Sequence, residues 1–146
     1  MLEEQIIRYT EERLPELKNI FFLNVPEYFA EEEWDDFTEY LKLHSTTYFL
    51  VKNENAVIGC GGYHKSNDTT ARLSWDFIHP DFKGKGLGRK IISHCLEEID
   101  KDANIHNIEV WTSQLAYQFY AKFGLKTYHI EEHYWGKDLH LYKMKT

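Results

Sequence analysis

The sequence predicts an α/β fold: one domain, residues 1–146, built on a mixed, mostly antiparallel sheet flanked by helices. Three observations carry this. The apolar periodicity switches along the chain between every second residue and three-to-four spacing, so strands and helices are interspersed. Three β-rich segments follow one another between residues 46 and 78 with only short turns between them, which makes them antiparallel neighbours. No linker, repeat or low-complexity stretch interrupts the 146 residues, and 42% hydrophobic content supplies a core for a chain of this size.

The elements justify themselves in order. Gln5 to Tyr9 reads as a short strand. A helix follows near Pro15, with Leu14, Leu17, Ile20 and Phe21 on one face and the proline in the first turn, where it is tolerated. Asn24-Val25-Pro26 breaks it. The next helix opens on Glu31-Glu32-Glu33, the favourable sign for the helix dipole, and carries Trp34, Phe37 and Leu41 as its apolar face. Thr46 to Val51 is β-rich, turns at Asn53-Glu54-Asn55, and returns as Ala56 to Tyr63. After a turn at Asn67-Asp68, residues 71–78 alternate, which predicts Leu73, Trp75 and Phe77 on one face. Pro80 ends that strand. A glycine-rich loop leads into a helix with the stripe Leu87, Ile91, Ile92, Cys95, Leu96, Ile99. Ile108 to Thr112 is a strand. Ser113 is placed to cap a helix bearing Leu115, Phe119 and Phe123, which Gly124 ends. Strands from Leu125 to about Tyr134 and from Leu139 to Met144 close the chain.

Composition excludes several functions. Ten Tyr, nine Phe and four Trp are too many rings for a disordered chain. The net charge is -7, the wrong sign for a nucleic-acid partner, and no apolar run approaches the ~20 residues that span a bilayer. No secretory signal is expected from Met1-Leu2-Glu3-Glu4. The expectation is a cytoplasmic protein. Cys60 and Cys95 both fall in apolar patterns and read as buried thiols. His129-Ile130-Glu131-Glu132-His133 spells a zinc-protease pattern, but that chemistry needs a helix and this segment alternates like a strand. No metal is expected.

The chemistry lies in residues 83–90, Lys-Gly-Lys-Gly-Leu-Gly-Arg-Lys. Gly84, Gly86 and Gly88 sit at every second position between a strand and a helix. Without Cβ atoms they let backbone amides approach a ligand, and free amides at a helix start favour an anion. Lys83, Lys85, Arg89 and Lys90 crowd that helix start, while Glu97, Glu98 and Asp100 crowd its end. This polarity opposes the helix dipole, and a bound anion would offset the cost. The loop is neither a Walker A nor a dinucleotide fingerprint, because the glycine spacing fits neither.

Lys83-x-x-Gly86-x-Gly88, following Ile78-His79-Pro80, resembles the pyrophosphate loop of the GNAT superfamily of acyl-CoA-dependent N-acyltransferases. Lys83 stands where Gln or Arg is usual. A second block, Ala116-x-x-Phe119-Tyr120-x-x-Phe123-Gly124-Leu125, resembles the family's later helix, with Ser113 where Asn is common. The element order is similar to the GNAT fold over nearly the whole chain.

The resemblance implies a set of roles. Acetyl-CoA would be the co-substrate, its pyrophosphate held by the loop 83–89 (Lys83, Gly84, Lys85, Gly86, Leu87, Gly88 and Arg89). The backbone of Asp76 and Ile78 would pair with the pantetheine arm, one N–H serving as oxyanion donor, and the strands there would splay to admit it. Ser113 would make a polar contact to the cofactor. Tyr120 would be the general acid, since a phenol keeps its proton at neutral pH. Asp76 is the first choice for the base, with Glu109 and His79 behind it. Residues 22–29 and 128–135 would line the acceptor site, with Glu131 and His133 sharing a strand face beside it. The acceptor is expected to be a small-molecule amine or aminoacyl compound. A non-catalytic acyl-CoA-binding module and a protein or peptide N-terminal acetyltransferase are the alternatives, and a homodimer is compatible with the sequence.

Overall fold

The computed structural model describes residues 4–146. Its strands are β1 (Gln5–Arg8), β2 (Tyr48–Asn53), β3 (Ala56–Asn67), β4 (Thr70–Ile78), β5 (Asn107–Thr112), β6 (Lys126–Gly136) and β7 (Leu139–Lys145). The helices are α1 (Leu14–Leu23), α2 (Glu33–His44), α3 (Leu87–Asp100) and the short α4 (Tyr117–Ala121). The seven strands form one sheet in the order β1-β2-β3-β4-β5-β7-β6. All neighbours are antiparallel except β4 and β5, which run parallel and are joined through α3. The predicted element order and mixed sheet are therefore present.

The sheet buries both faces. On one, Leu87, Ile91, Ile92, Cys95 and Ile99 of α3 pack with Phe49, Val51, Ile58, Leu73 and Val110. On the other, Leu17, Ile20 and Phe21 of α1 and Phe37 and Leu41 of α2 pack with Tyr48, Leu50, Val57, Cys60 and Phe77. Each of these large side chains removed from water stabilises by about 1.5–3 kcal/mol. Both cysteines are free and buried, as their apolar patterns predicted. Pro15 sits in the first turn of α1, and Asn24 ends the helix by donating its Nδ2 to the Ile20 carbonyl at 2.9 Å. Residues 129–133 lie within β6, as the alternation predicted. Among the described residues no helix is long and apolar enough to cross a membrane.

Two expectations are corrected. Leu73 does not share a face with Trp75 and Phe77. Cys60 faces Phe77 and Gly62 faces Ser74, so Trp75 and Asp76 together stand opposite Gly61. This is a β-bulge, with Trp75 at φ 54°, and it reverses the parity of the strand. Leu73 consequently packs beneath α3, while Trp75 and Phe77 pack beneath α1 and α2. The second correction concerns Ser113. Its hydroxyl accepts from the Leu115 N–H at 3.2 Å, in a turn that precedes α4, and Ala116 occupies the cap position of the five-residue helix.

Candidate functional site

The bulge opens the sheet. β4 and β5 pair only from Thr70–Leu73 to Asn107–Val110. Beyond that, Ser74–Ile78 and Trp111–Ser113 become opposite walls of a cavity of about 650 Å³. The splayed strands expected from the loop motif are thus present. His79 donates its N–H to the Ile58 carbonyl at 2.8 Å. Antiparallel alternation then turns the Ile78 N–H and C=O away from β3 and toward the cleft. The Ile78 carbonyl is taken by Asn24 Nδ2 at 3.1 Å, and the Ile78 N–H is left facing the cavity.

At the end of β4 the glycine loop enters α3. Gly84 and Gly86 adopt φ of 78° and 80°, the left-handed region that glycine tolerates and L side chains resist. Gly86 is the N-cap, and its carbonyl receives the Lys90 N–H at 3.1 Å. The amides of Leu87, Gly88 and Arg89 therefore stand at the helix start without an intrahelical acceptor. The Leu87 side chain is buried in the core, so its amide is the part it can offer. Gly88 faces Phe119, whose ring carbon would sit 3.3 Å from any Cβ added there. A second cavity, about 760 Å³, lies over this loop and shares Ile78, Lys83, Gly88 and Phe119 with the first. Loop and cleft are one continuous depression.

Lys83 does more than add charge to the loop. Its Nζ donates to Asn24 Oδ1 at 2.7 Å and lies 3.8 Å from the Tyr28 ring centroid. It ties the loop to the α1–α2 connection. Lys85 stays on the loop, 5.2 Å from the Phe82 ring centroid. Arg89 is exposed beside it.

Asp76 and Tyr120 meet. The bulge turns Asp76 toward the α3 face, and α4 delivers Tyr120, only 2% exposed. The Tyr120 hydroxyl donates to Asp76 Oδ1. Burial raises the Asp76 carboxyl above the usual carboxylate range, against the lowering effect of that bond. Burial, and then the Asp76 charge, push the Tyr120 phenol well above its ordinary value. The phenol is held protonated at neutral pH. Sequence reading chose both residues separately; the structure makes them a pair. Ser113, 8% exposed, also lines the cleft.

Other candidates are employed elsewhere. Glu109 accepts from Arg72 Nε at 3.0 Å. His79 Nδ1 accepts the Asp81 N–H at 3.1 Å and so caps its own turn. Of residues 128–135 only Trp135 lines the cavity, its Nε1 donating to the Thr112 carbonyl at 2.9 Å; Glu131 and His133 are exposed on β6. Of residues 22–29, Asn24, Tyr28 and Phe29 line it. Sequence reading missed the wall supplied by α2: Glu33, Asp36, Glu39, Tyr40 and His44. Their helical spacing was the available signal, beside the apolar face at 34, 37 and 41.

Glu33 differs from its neighbours on that wall. It is 9% exposed, while Asp36 and Glu39 are open to solvent. Its Oε1 accepts the Ala30 N–H at 2.9 Å. Burial, with the nearby Asp36 and Glu32 charges, raises its carboxyl to about 7, against the lowering effect of that hydrogen bond. His64 moves the other way: burial, then His44 and Arg72, lower it to about 4.

Comparison with known proteins agrees with this geometry. The crystal structure of Ard1 from Thermoplasma volcanium superposes with a TM-score of 0.84 at 16% identity, over 98% of this chain and 96% of that one. The structure of yncA from Salmonella typhimurium, a protein solved with acetyl-CoA, superposes with a TM-score of 0.75 at 15% identity, over 99% and 93%. An uncharacterized N-acetyltransferase, ycf52 of Pyropia yezoensis, is 31% identical over 88 residues, 58% of this chain and 49% of the relative. The chain thus spans about half the length of that curated relative. The model of the Acetyltransferase (GNAT) family matches residues 14–125, which include the bulged strand, the glycine loop and the Tyr120 helix. On that match, the chain belongs to the acetyltransferase (GNAT) family.

Proposed function

We propose that this protein transfers the acetyl group of acetyl-CoA to the primary amine of a small molecule or aminoacyl compound. The observation that carries the reading is the single depression that joins an anion-binding helix start to the Asp76–Tyr120 pair. The residues fit acetyl-CoA: unpaired amides and the cations Lys83, Lys85 and Arg89 for a pyrophosphate, left-handed glycines that leave space, and the unpaired edge of β4 beyond Leu73 for an extended arm. When bound, acetyl-CoA supplies the activated thioester.

The chain's own groups do the rest. The amides of Leu87, Gly88 and Arg89 hold and orient the anion. The Ile78 N–H donates to the carbonyl oxygen as it gains charge, an effect worth about 10²–10³ in rate elsewhere. Tyr120 gives its hydroxyl proton to the departing sulfur. Asp76 takes a proton from the attacking nitrogen and returns it to the Tyr120 oxygen along their hydrogen bond. The pair ends as it began, and one proton has moved from nitrogen to sulfur.

Two loops favour a compact acceptor. A Cβ on Gly136, at the β6–β7 tip, would lie 3.8 Å from the Cβ of Ala30 in the α1–α2 connection. The loops meet next to Phe29 and Trp135, which line the cavity. Thiol release from acetyl-CoA measured across tyramine, putrescine, glycinamide and a short peptide tests the proposal. Turnover on small amines supports it. Turnover on the peptide alone replaces the acceptor class, and no turnover despite acetyl-CoA binding makes the chain a binding module.

A further inference from the structure

We infer that Glu33 receives the first proton of the acceptor, holding the incoming ammonium in the cavity and converting it to the neutral amine before attack. This rests on the acetyl-transfer reading above. An alkylamine arrives at neutral pH as R–NH₃⁺ and must shed two protons. One leaves after attack, through Asp76 and Tyr120. The other must leave before, because the ammonium has no lone pair. In that step an N–H bond breaks, an O–H bond forms on the Glu33 carboxylate, and the proton then passes to water.

The cavity holds few other candidates. Asp76 already accepts from Tyr120. Glu39, also on the wall, is exposed and pairs with Lys42 at 2.9 Å, and Asp36 is open to solvent. The two imidazoles on the wall, His44 and His64, stack on each other at 4.6 Å, and the Nδ1 of His64 faces Ser74 Oγ at 3.1 Å. Glu33 is buried, lines the cavity, and has one oxygen engaged by Ala30, which leaves Oε2 for an acceptor. It lines the same cavity as Asp76 and Tyr120, on the wall that α2 supplies; Phe29 and Trp75, stacked 6.0 Å apart, line it too.

The charges around Glu33 suit the role. Glu32 and Asp36 on its own segment raise its proton affinity, together with the burial that brings it to about 7. Across the cavity β4 presents Asp76 and Arg72, the α1–α2 connection presents Tyr28, and the loop presents Lys83 held by Asn24. The β6–β7 hairpin contributes Trp135, which is uncharged. A carboxyl poised near neutrality exchanges protons with an ammonium most effectively at working pH.

Glu33→Gln keeps the side-chain size and an oxygen for the Ala30 N–H. The test is the pH profile of kcat/KM, on whichever of tyramine, putrescine and glycinamide turns over fastest, alongside acetyl-CoA Kd. The wild type is expected to lose activity below a limb near pH 7. Glu33→Gln should lose that limb, rise with pH toward the acceptor's own pKa, and fall about 10²–10⁴-fold at pH 7 with Kd within twofold. Glu33→Asp, which keeps a carboxylate, should retain a limb and part of the rate. A wild-type profile without the limb, a Glu33→Gln profile that keeps it, or equal rates for the Gln and Asp variants overturns the inference while transfer itself stands. Absence of wild-type turnover on all three amines and on the peptide overturns the transfer reading and this one together.

Discussion

Tyr120 places a single hydroxyl on a desolvated carboxylate, so its removal isolates one proton. In Tyr120→Phe the ring and its edge contact with Phe119 remain. The kcat is expected to fall about 10²–10⁴-fold, with acetyl-CoA Kd within twofold. A normal kcat would remove Tyr120 from the reaction; a lowered Tm with normal kcat would make it packing alone. Glu33 gives a second residue-scale prediction, in stability. Its folded pKa is raised to about 7 from 4.5. Below pH 4.5 both folded and unfolded forms are protonated and nothing is lost. Between 4.5 and 7 the unfolded chain ionises while the folded chain stays neutral, so stability falls as pH rises, by up to about 3 kcal/mol above pH 7. Glu33→Gln should therefore raise Tm relative to wild type at pH 8 and lose that advantage near pH 4. A Tm difference independent of pH would show that Glu33 is ordinary in its ionisation. Tyr120 was legible because its neighbours form a motif. Glu33 was not, because burial of a carboxyl depends on where α1–α2 and β4 pack, which no local pattern records.

The elements that matter are the bulge and the loop. A Cβ on Gly61 would lie 2.6 Å from Ile91 Cγ2 and 2.9 Å from Asp76 Cβ. Gly61→Ala should cost about 1–3 kcal/mol in stability and push Asp76 off Tyr120. Its kcat is expected to fall at least about tenfold in the folded fraction. A variant with lowered Tm and wild-type kcat would separate the bulge from the reaction. In the loop, Gly86→Asp sets a carboxylate and a strained φ where the anion is held. Acetyl-CoA affinity by calorimetry should drop more than tenfold, about 1.4 kcal/mol, with circular dichroism unchanged. Unchanged affinity would move the binding site elsewhere. The loop was readable from glycine spacing and charge alone. The bulge was hidden because Leu73, Trp75 and Phe77 alternate as a regular strand would. Only the pairing with β3, where Cys60 faces Phe77 and Gly62 faces Ser74, shows that Gly61 faces two residues. Gly62 is tight for a related reason, since a Cβ there would meet the Thr47 carbonyl and Tyr48.

At the scale of the molecule the element order and the mixed sheet were legible, because each element carries its own period and its own stop. The cavity was less so, since its walls come from α2, β4, β5, the Tyr120 turn and the β6–β7 hairpin, brought together only by packing. Charge acts at this scale too. The net charge is -7, and Lys83 and Arg89 of the glycine loop line the cavity over that loop. Duplex DNA is expected not to shift in a gel at physiological salt, and a tight complex insensitive to acetyl-CoA would contradict the assignment of that loop.

Asn24 joins three parts of the cleft. It is 3% exposed, donates to Ile20 and Ile78, and accepts from Lys83. An anion that drew Lys83 toward itself would weaken its hold on Asn24, at the root of the α1–α2 connection that carries Tyr28, Phe29 and Ala30. The two halves of the cleft would then be thermodynamically linked. Whatever factor acetyl-CoA applies to acceptor affinity, the acceptor must apply to acetyl-CoA. Lys83→Met, which keeps the length of the side chain and removes the charge, should bring that factor close to one, even where it leaves each ligand able to bind alone.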